Sequence, residues 1–164
     1  MNHNPLVEID AEQYQVEIEL IYASADNLAG KVIYPTSRCL LHREAAACLA
    51  KASQLARLAG YTLRIYDAYR PPFAQFLLWE ALPDGNYVRD PHLGSHHSRG
   101  VAVDLTLVGS DGQPLDMGSA FDTMQQHATQ HPQASAFHLR RCEQVVEDFV
   151  HCIEQELLGR EQPV

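Results

Sequence analysis

Gly94–Leu107 reads GSHHSRGVAVDLTL and brings two imidazoles, a turn and a strand-borne carboxylate into fourteen residues. Ser98-Arg99-Gly100 is turn-like, with a glycine free to take a positive φ. Val101 to Leu107 then alternates with period two: Val101, Val103, Leu105 and Leu107 make an apolar face, and Ala102, Asp104 and Thr106 the other. The apolar face belongs against a core. A carboxylate in the middle of such a strand is costly to bury alone, so Asp104 needs a partner, and a cation is a natural one. A loop histidine seven residues upstream can fold back beside it, giving an N/O pair of the type that zinc accepts. The residues by themselves leave His96 and His97 as equal candidates, and leave open that Asp104 is salt-bridged or solvated.

Upstream of this stretch, Tyr61–Ala68 (YTLRIYDA) reads as a strand, followed by Pro71-Pro72, which is suited to start a helix carrying Phe73, Phe76, Leu77 and Ala81 on one side. Before it, Leu41–Ala59 has the helical stripe Leu41, Ala45, Cys48, Leu49, Ala52, Leu55, Ala56 and Ala59, with Gly60 where a left-handed C-terminal residue is wanted. Val16–Tyr22 alternates as a half-buried strand, and Ala23–Tyr34 reads as a loop with Asp26-Asn27 and Gly30. Pro83–Pro91 is a further loop. Downstream, Asp111-Gly112 signals a turn over Gly109–Gly112. Ala120–Pro132 begins as a helix, and Phe137–Leu158 is a long amphipathic helix with Val145, Val146, Phe149, Ile153 and Leu157 on one face. Strands separated by helices, with a hairpin, predict an α+β fold built on a small, mostly antiparallel sheet with flanking helices.

The 164 residues suit one domain with a real core. A net charge of -9 argues against a nucleic-acid surface or an anionic-membrane binder and is neutral on small molecules. The first residues show no basic region followed by an apolar run, and no stretch is long enough to span a bilayer, so the expectation is a cytoplasmic protein. Cys39, Cys48, Cys142 and Cys152 are scattered, with no C-x-x-C pair, and are expected to be reduced.

Arg70 sits at the end of a strand, before a proline-initiated helix, where a guanidinium can hold a carboxylate bidentately or steady a developing oxyanion. The alternative is that it pairs with Asp67 or Asp26 to pin the loop. Asp122 can cap a helix or meet an ammonium group, and Ser95 can donate to a ligand or hold its own loop.

Tyr22–Tyr34 (YASADNLAGKVIY), Tyr66–Pro71 (YDAYRP), Gly94–Leu107 and Asp116–Asp122 (DMGSAFD) together resemble the zinc D-alanyl-D-alanine dipeptidases, the VanX-type enzymes of peptidase family M15. The resemblance runs from about residue 17 to about residue 141 and implies a hedgehog-like zinc peptidase fold. It implies that His97 and Asp104 are zinc ligands, one zinc per chain, and that Arg70 stabilises the tetrahedral transition state. It further implies that Ser95 and Asp122 bind the dipeptide, Asp122 at its free ammonium. The implied reaction is zinc-dependent hydrolysis of D-alanyl-D-alanine, serving either glycopeptide resistance or recycling of wall-derived D-alanine.

The family's late E-x-x-H, which supplies a general base and the third zinc ligand, has no counterpart near the end of these 164 residues. Residues 142–164 read as an atypical helical tail. The nearest substitute is Asp148-Phe149-Val150-His151, whose first and last side chains would share a helix face; His127, His131 and His138 are other candidate ligands. The departure makes a homologue that binds a dipeptide without turnover the alternative reading. A second alternative is a D,D-carboxypeptidase of related fold.

Overall fold

A computed structural model of the chain describes residues 5–85 and 87–115. Leu6–Glu8 (β1) leads into Ala11–Tyr14 (α1), whose first turn is capped by the Asp10 carboxylate accepting from the Gln13 N–H at 2.8 Å. Glu17–Ile18 (β2) follows, then a 3-10 turn at Ile21–Ala23 and an irregular run to Leu40–His42 (β3). Arg43–Leu58 (α2), Thr62–Asp67 (β4), Pro72–Ala81 (α3) and Asp104–Val108 (β5) complete the elements. β1 and β3 form an antiparallel pair, while β4 lies between a parallel β2 and an antiparallel β5. The α+β class holds, with two small sheets where one was expected.

Burial of the alternating face explains why β4 sits at the centre. Leu63 and Ile65 are fully excluded from water, as are Leu41, Leu49 and Leu78 from neighbouring elements. Each such side chain contributes about 1.5–3 kcal/mol of apolar burial. α2 lays Ala45, Cys48, Leu49, Ala52 and Ala56 onto this core, and Gly60 takes φ +87° just past its end, as its position predicts.

Several predicted boundaries move. Val16–Tyr22 pairs only at Glu17–Ile18, because a 3-10 turn begins after Leu20 and the Ser24 hydroxyl donates to the Ile21 carbonyl. The predicted helix over 41–59 starts at Arg43, since Leu40–His42 is drawn into the ladder with β1. Its buried face takes in Ala46 and Ser53 and leaves Leu55 exposed. Ser53 sits there because its hydroxyl donates to the Gln15 carbonyl. α3 is rotated from the expected face: Ala74, Gln75 and Leu78 are buried, while Phe73 and Phe76 lie in water. The β5 strand begins at Asp104, so the carboxylate stands at the strand's start and not in its middle. The helices expected over 120–132 and 137–158, and Asp122 with them, lie outside the described residues.

Two local features position the site. First, the β4–β5 register steps from Ile65 opposite Leu105 to Asp67 opposite Asp104, leaving Tyr66 as the extra residue of a bulge. Second, the His97–Arg99 3-10 turn ends at Gly100 with φ +72°. The Gly100 carbonyl accepts from the His42 N–H at 2.8 Å, which ties the histidine turn to the end of β3. A Cβ on Gly100 would stand 2.6 Å from Leu6 Cδ2 and 2.9 Å from the His42 nitrogen. The turn at Gly109–Gly112 forms as expected: the Gly109 N–H donates to the Gln113 carbonyl and the Leu115 N–H to the Leu107 carbonyl, each at 2.8 Å.

Gly100→Ala combines left-handed strain with a backbone clash and is expected to cost roughly 2–4 kcal/mol. Gly30→Ala, at φ +61° with nothing nearby to meet its Cβ, carries the strain alone, roughly 1–2 kcal/mol. Urea unfolding of the two variants measures the difference; equal losses would mean that the contact with β1 and β3 contributes nothing.

Candidate active site

The ends of β4 and β5 put Asp67 and Asp104 opposite each other, and like charges so placed repel. Arg70 answers this. Its Nε and Nη2 both donate to Asp67 Oδ2, at 2.9 and 2.6 Å, and Nη2 lies 3.8 Å from Asp104 Oδ2. The other Asp67 oxygen accepts from the Tyr34 hydroxyl and the Ala68 N–H. The guanidinium carbon lies 5.1 Å from the centre of the Tyr22 ring, and Tyr22 meets Tyr34 edge-on. Arg70 keeps a raised pKa: burial is the largest influence and works against its charge, but the Asp67 carboxylate together with Tyr22 and Tyr34 outweighs it. Burial, followed by the charge of Asp67, pushes the Tyr34 phenol up, so it stays a donor.

His97 comes from the turn after Ser95 and His96. Its Nδ1 lies 2.8 Å from the Ala68 carbonyl, which only accepts, so the proton sits on Nδ1. Nε2 is thereby aimed at Asp104 Oδ1, 3.5 Å away. Burial would lower the imidazole's pKa, but the hydrogen bond and charge of Asp104 overcome it and raise the ring above the ordinary histidine value. His96 is exposed on the outer wall, and Ser95 is buried at the cleft's edge.

Arg70, Ser95, His97 and Asp104 therefore line one cleft of about 290 Å³, together with Tyr22 and Gln75. Two other clefts, of about 480 and 370 Å³, are larger but lack a convergent set of ionisable groups. Asp122 lies outside the described residues, as do His127, His131, His138, Asp148 and His151.

Asp67, His97 and Asp104 offer ligand atoms within 4.8 Å of one another and could hold a metal ion. His97 Nε2 and Asp104 Oδ1 fit best. Their separation is near the roughly 3.3 Å subtended at a tetrahedral zinc by two ligands about 2.0–2.1 Å from it. Asp67 fits as an anchor instead. Its oxygens already accept from Arg70, Tyr34 and Ala68, and it approaches His97 on the Nδ1 side, at 3.6 Å. A histidine ligand oriented by a carbonyl and backed by a carboxylate is the usual outer arrangement of a metal site. Cys39 is no nucleophile, since burial and the charges of Asp67 and Glu8 push its thiol up to about 12.

A sequence model of the family described as D-ala-D-ala dipeptidase, Peptidase M15, matches residues 2–142. The chain belongs to this family. It is 53% identical to the D-alanyl-D-alanine dipeptidase of Escherichia coli K12 over 123 residues, covering 75% of this chain and 61% of that protein. It is 35% identical to the D-alanyl-D-alanine dipeptidase of Enterococcus faecium over 141 residues, covering 73% and 70% respectively. The chain thus spans about three fifths of the length of the Escherichia coli dipeptidase. The family match ends next to the point, around Arg141, where the sequence motifs stop. No helix among the described residues is long and apolar enough to cross a membrane.

Sequence reasoning named Asp67 only as a possible partner that would pin Arg70, and the structure shows that pairing, with two donors of the guanidinium on one Asp67 oxygen. Asp67 takes the third buried place in the alternation Leu63, Ile65, Asp67, and a carboxylate on an apolar face is the signal that could have singled it out. Removing it strands a buried guanidinium. Asp67→Asn is expected to cost about 3–5 kcal/mol, and Tyr34→Phe about 1–2 kcal/mol. Chemical denaturation of both variants checks the order; a larger loss for Tyr34→Phe would mean that the ion pair is not what holds this end of the sheet.

Proposed function

We propose that this protein is a zinc-dependent hydrolase of the dipeptide D-alanyl-D-alanine, with His97 and Asp104 holding one zinc ion. The observation that supports it most is the geometry of His97 Nε2 and Asp104 Oδ1, which share a cleft wall with a buried, charged Arg70. When bound, zinc would polarise the scissile carbonyl and lower the pKa of a water. Arg70 would donate its remaining N–H groups to the oxygen that gains charge as the carbonyl becomes tetrahedral. The Asp67 carboxylate and the Tyr22 ring keep that donor in place before substrate arrives, so little reorganisation accompanies the reaction. Ser95 would hydrogen-bond the dipeptide at the cleft edge. Asp122, which lies outside the described residues, would take its ammonium group, as the family resemblance implies.

Catalytic zinc normally has three protein ligands. With Asp67 engaged elsewhere, the third ligand and the proton acceptor must come from beyond the cluster of described residues. Asp148 and His151 are the first pair to test. A cleft this small suits a dipeptide better than a glycan strand, and the cellular role would be removal of D-alanyl-D-alanine or recovery of D-alanine in the cytoplasm. The second reading is a protein that binds the dipeptide without turning it over, in keeping with two free metal ligands among the described residues once Asp67 is held by Arg70, Tyr34 and Ala68.

Release of D-alanine from D-alanyl-D-alanine, with zinc and with a chelator, separates the two. Zinc-dependent release is expected, with loss of it and weaker zinc binding in His97→Ala and Asp104→Ala. Arg70→Lys should retain zinc and lose about 10²–10³ in kcat. Calorimetric binding of the dipeptide with no D-alanine released would establish the second reading instead.

A further inference from the structure

The α3 residue Gln75 is nine-tenths and more excluded from water, yet it faces neither solvent nor an apolar neighbour alone. Its Oε1 accepts from Arg70 Nη1 at 2.9 Å, and its Nε2 donates to the Arg89 carbonyl at 2.6 Å. Arg89 in turn reaches over its own loop, with Nε donating to the Gly94 carbonyl at 2.6 Å. Gly94 immediately precedes Ser95, and the His97 carbonyl accepts from the Arg70 backbone N–H at 3.0 Å. These bonds link Arg70, Gln75, Arg89, Gly94 and His97, and all but Gly94 line the cleft.

The two amide atoms do different things. Asp67 holds Nε and Nη2 of the guanidinium but leaves Nη1 untouched. Gln75 holds Nη1, and with it the tilt of the plane about the Nε–Asp67 axis. At the same time its amide hydrogens satisfy a carbonyl of the opposite loop, where an apolar side chain would leave that carbonyl without this partner. A helix face carrying an amide at a buried position pays a desolvation cost, and both polar atoms of Gln75 meet it with a charged or short contact.

We propose that Gln75 is a positioning residue for this site: it fixes the Nη1 edge of Arg70 and couples the guanidinium to the Arg89–Gly94 loop that leads into Ser95 and His97. The inference takes its catalytic meaning from the function proposed above, but the coupling itself is independent of it. Gln75 touches no reacting atom. It sets how Arg70 faces the position where an oxyanion would form.

The test uses the full chain and three variants. In nitrogen-detected NMR, the two Nη1 hydrogens of Arg70 are expected to give separate, slowly exchanging signals in the native protein. In Gln75→Met they should average, while those of Nη2, held by Asp67, stay separate. Gln75→Glu keeps the acceptor for Nη1 and should restore the splitting while losing the donor to Arg89. Should Gln75→Met fail to fold, Gln75→Asn, whose side chain is too short to span both partners, gives the same reading. In steady-state hydrolysis of D-alanyl-D-alanine, Gln75→Met should lower kcat about tenfold, with KM and zinc affinity nearly unchanged. Averaged Nη1 signals in the native protein, or separate ones in Gln75→Met, would overturn the proposal, as would an equal loss in KM and zinc binding. A native chain that shows the expected signals and hydrolyses no dipeptide would refute the proposed function and leave the coupling standing.

Discussion

Two carboxylates facing each other across the end of a β-ladder set the terms for everything around them. Asp67 is fully buried and Asp104 partly so, with carboxylate oxygens within 4.8 Å of each other, and unit charges that far apart repel by roughly 3 kcal/mol at the effective dielectric of a protein. The chain answers with cationic or proton-donating groups drawn from three separate places. Arg70 and the Ala68 N–H come from the turn after β4, Tyr34 from the irregular run before β3, and His97 from the 3-10 turn before β5. None is adjacent in sequence to all the others. The paired aspartates therefore act as an organising centre for the fold as well as for the cleft.

The division of labour between the two carboxylates follows from their neighbours. Asp67 is saturated by donors and works as a fixed anion. Asp104 keeps an oxygen directed at an imidazole nitrogen and another toward a guanidinium, and it stands at the exposed end of the strand. One fold thus produces a structural carboxylate and an available one from a single cross-strand pair. The His97 ring is oriented by the same backbone, since the Ala68 carbonyl that fixes its proton belongs to the residue after Asp67. The site is preformed by hydrogen bonds that need no ligand to complete them.

What the sequence disclosed follows from the range of each signal. β4 was legible because six residues of strict alternation leave little choice of face, and the Gly109–Gly112 turn because Asp-Gly has a local conformational preference. β1 and β3, three residues each, are too short to show a period, and they exist only because they pair with one another. The face of α3 was misjudged for a different reason. Hydrophobic patterning ranks Phe73 and Phe76 above Gln75, but it has no knowledge of an unsatisfied Nη1 and a carbonyl waiting on either side of an amide. At the site, Arg70, His97 and Asp104 were visible as motif residues, while the anchoring role of Asp67 depended on burial, which emerges only when β2 and β5 close over β4.

The bulge at Tyr66 gives the cleft an unusual kind of address. Asp67 meets Asp104 only because β4 contains one more residue than β5 between Ile65 and the strand end. Deleting Tyr66 would restore a regular ladder rather than shorten a loop, and Asp67, now next after Ile65, would point to the opposite face from Leu63 and Ile65. Insertions and deletions within the segment from Ile65 to Arg70 therefore change which group faces Asp104, and not merely the length of a connection.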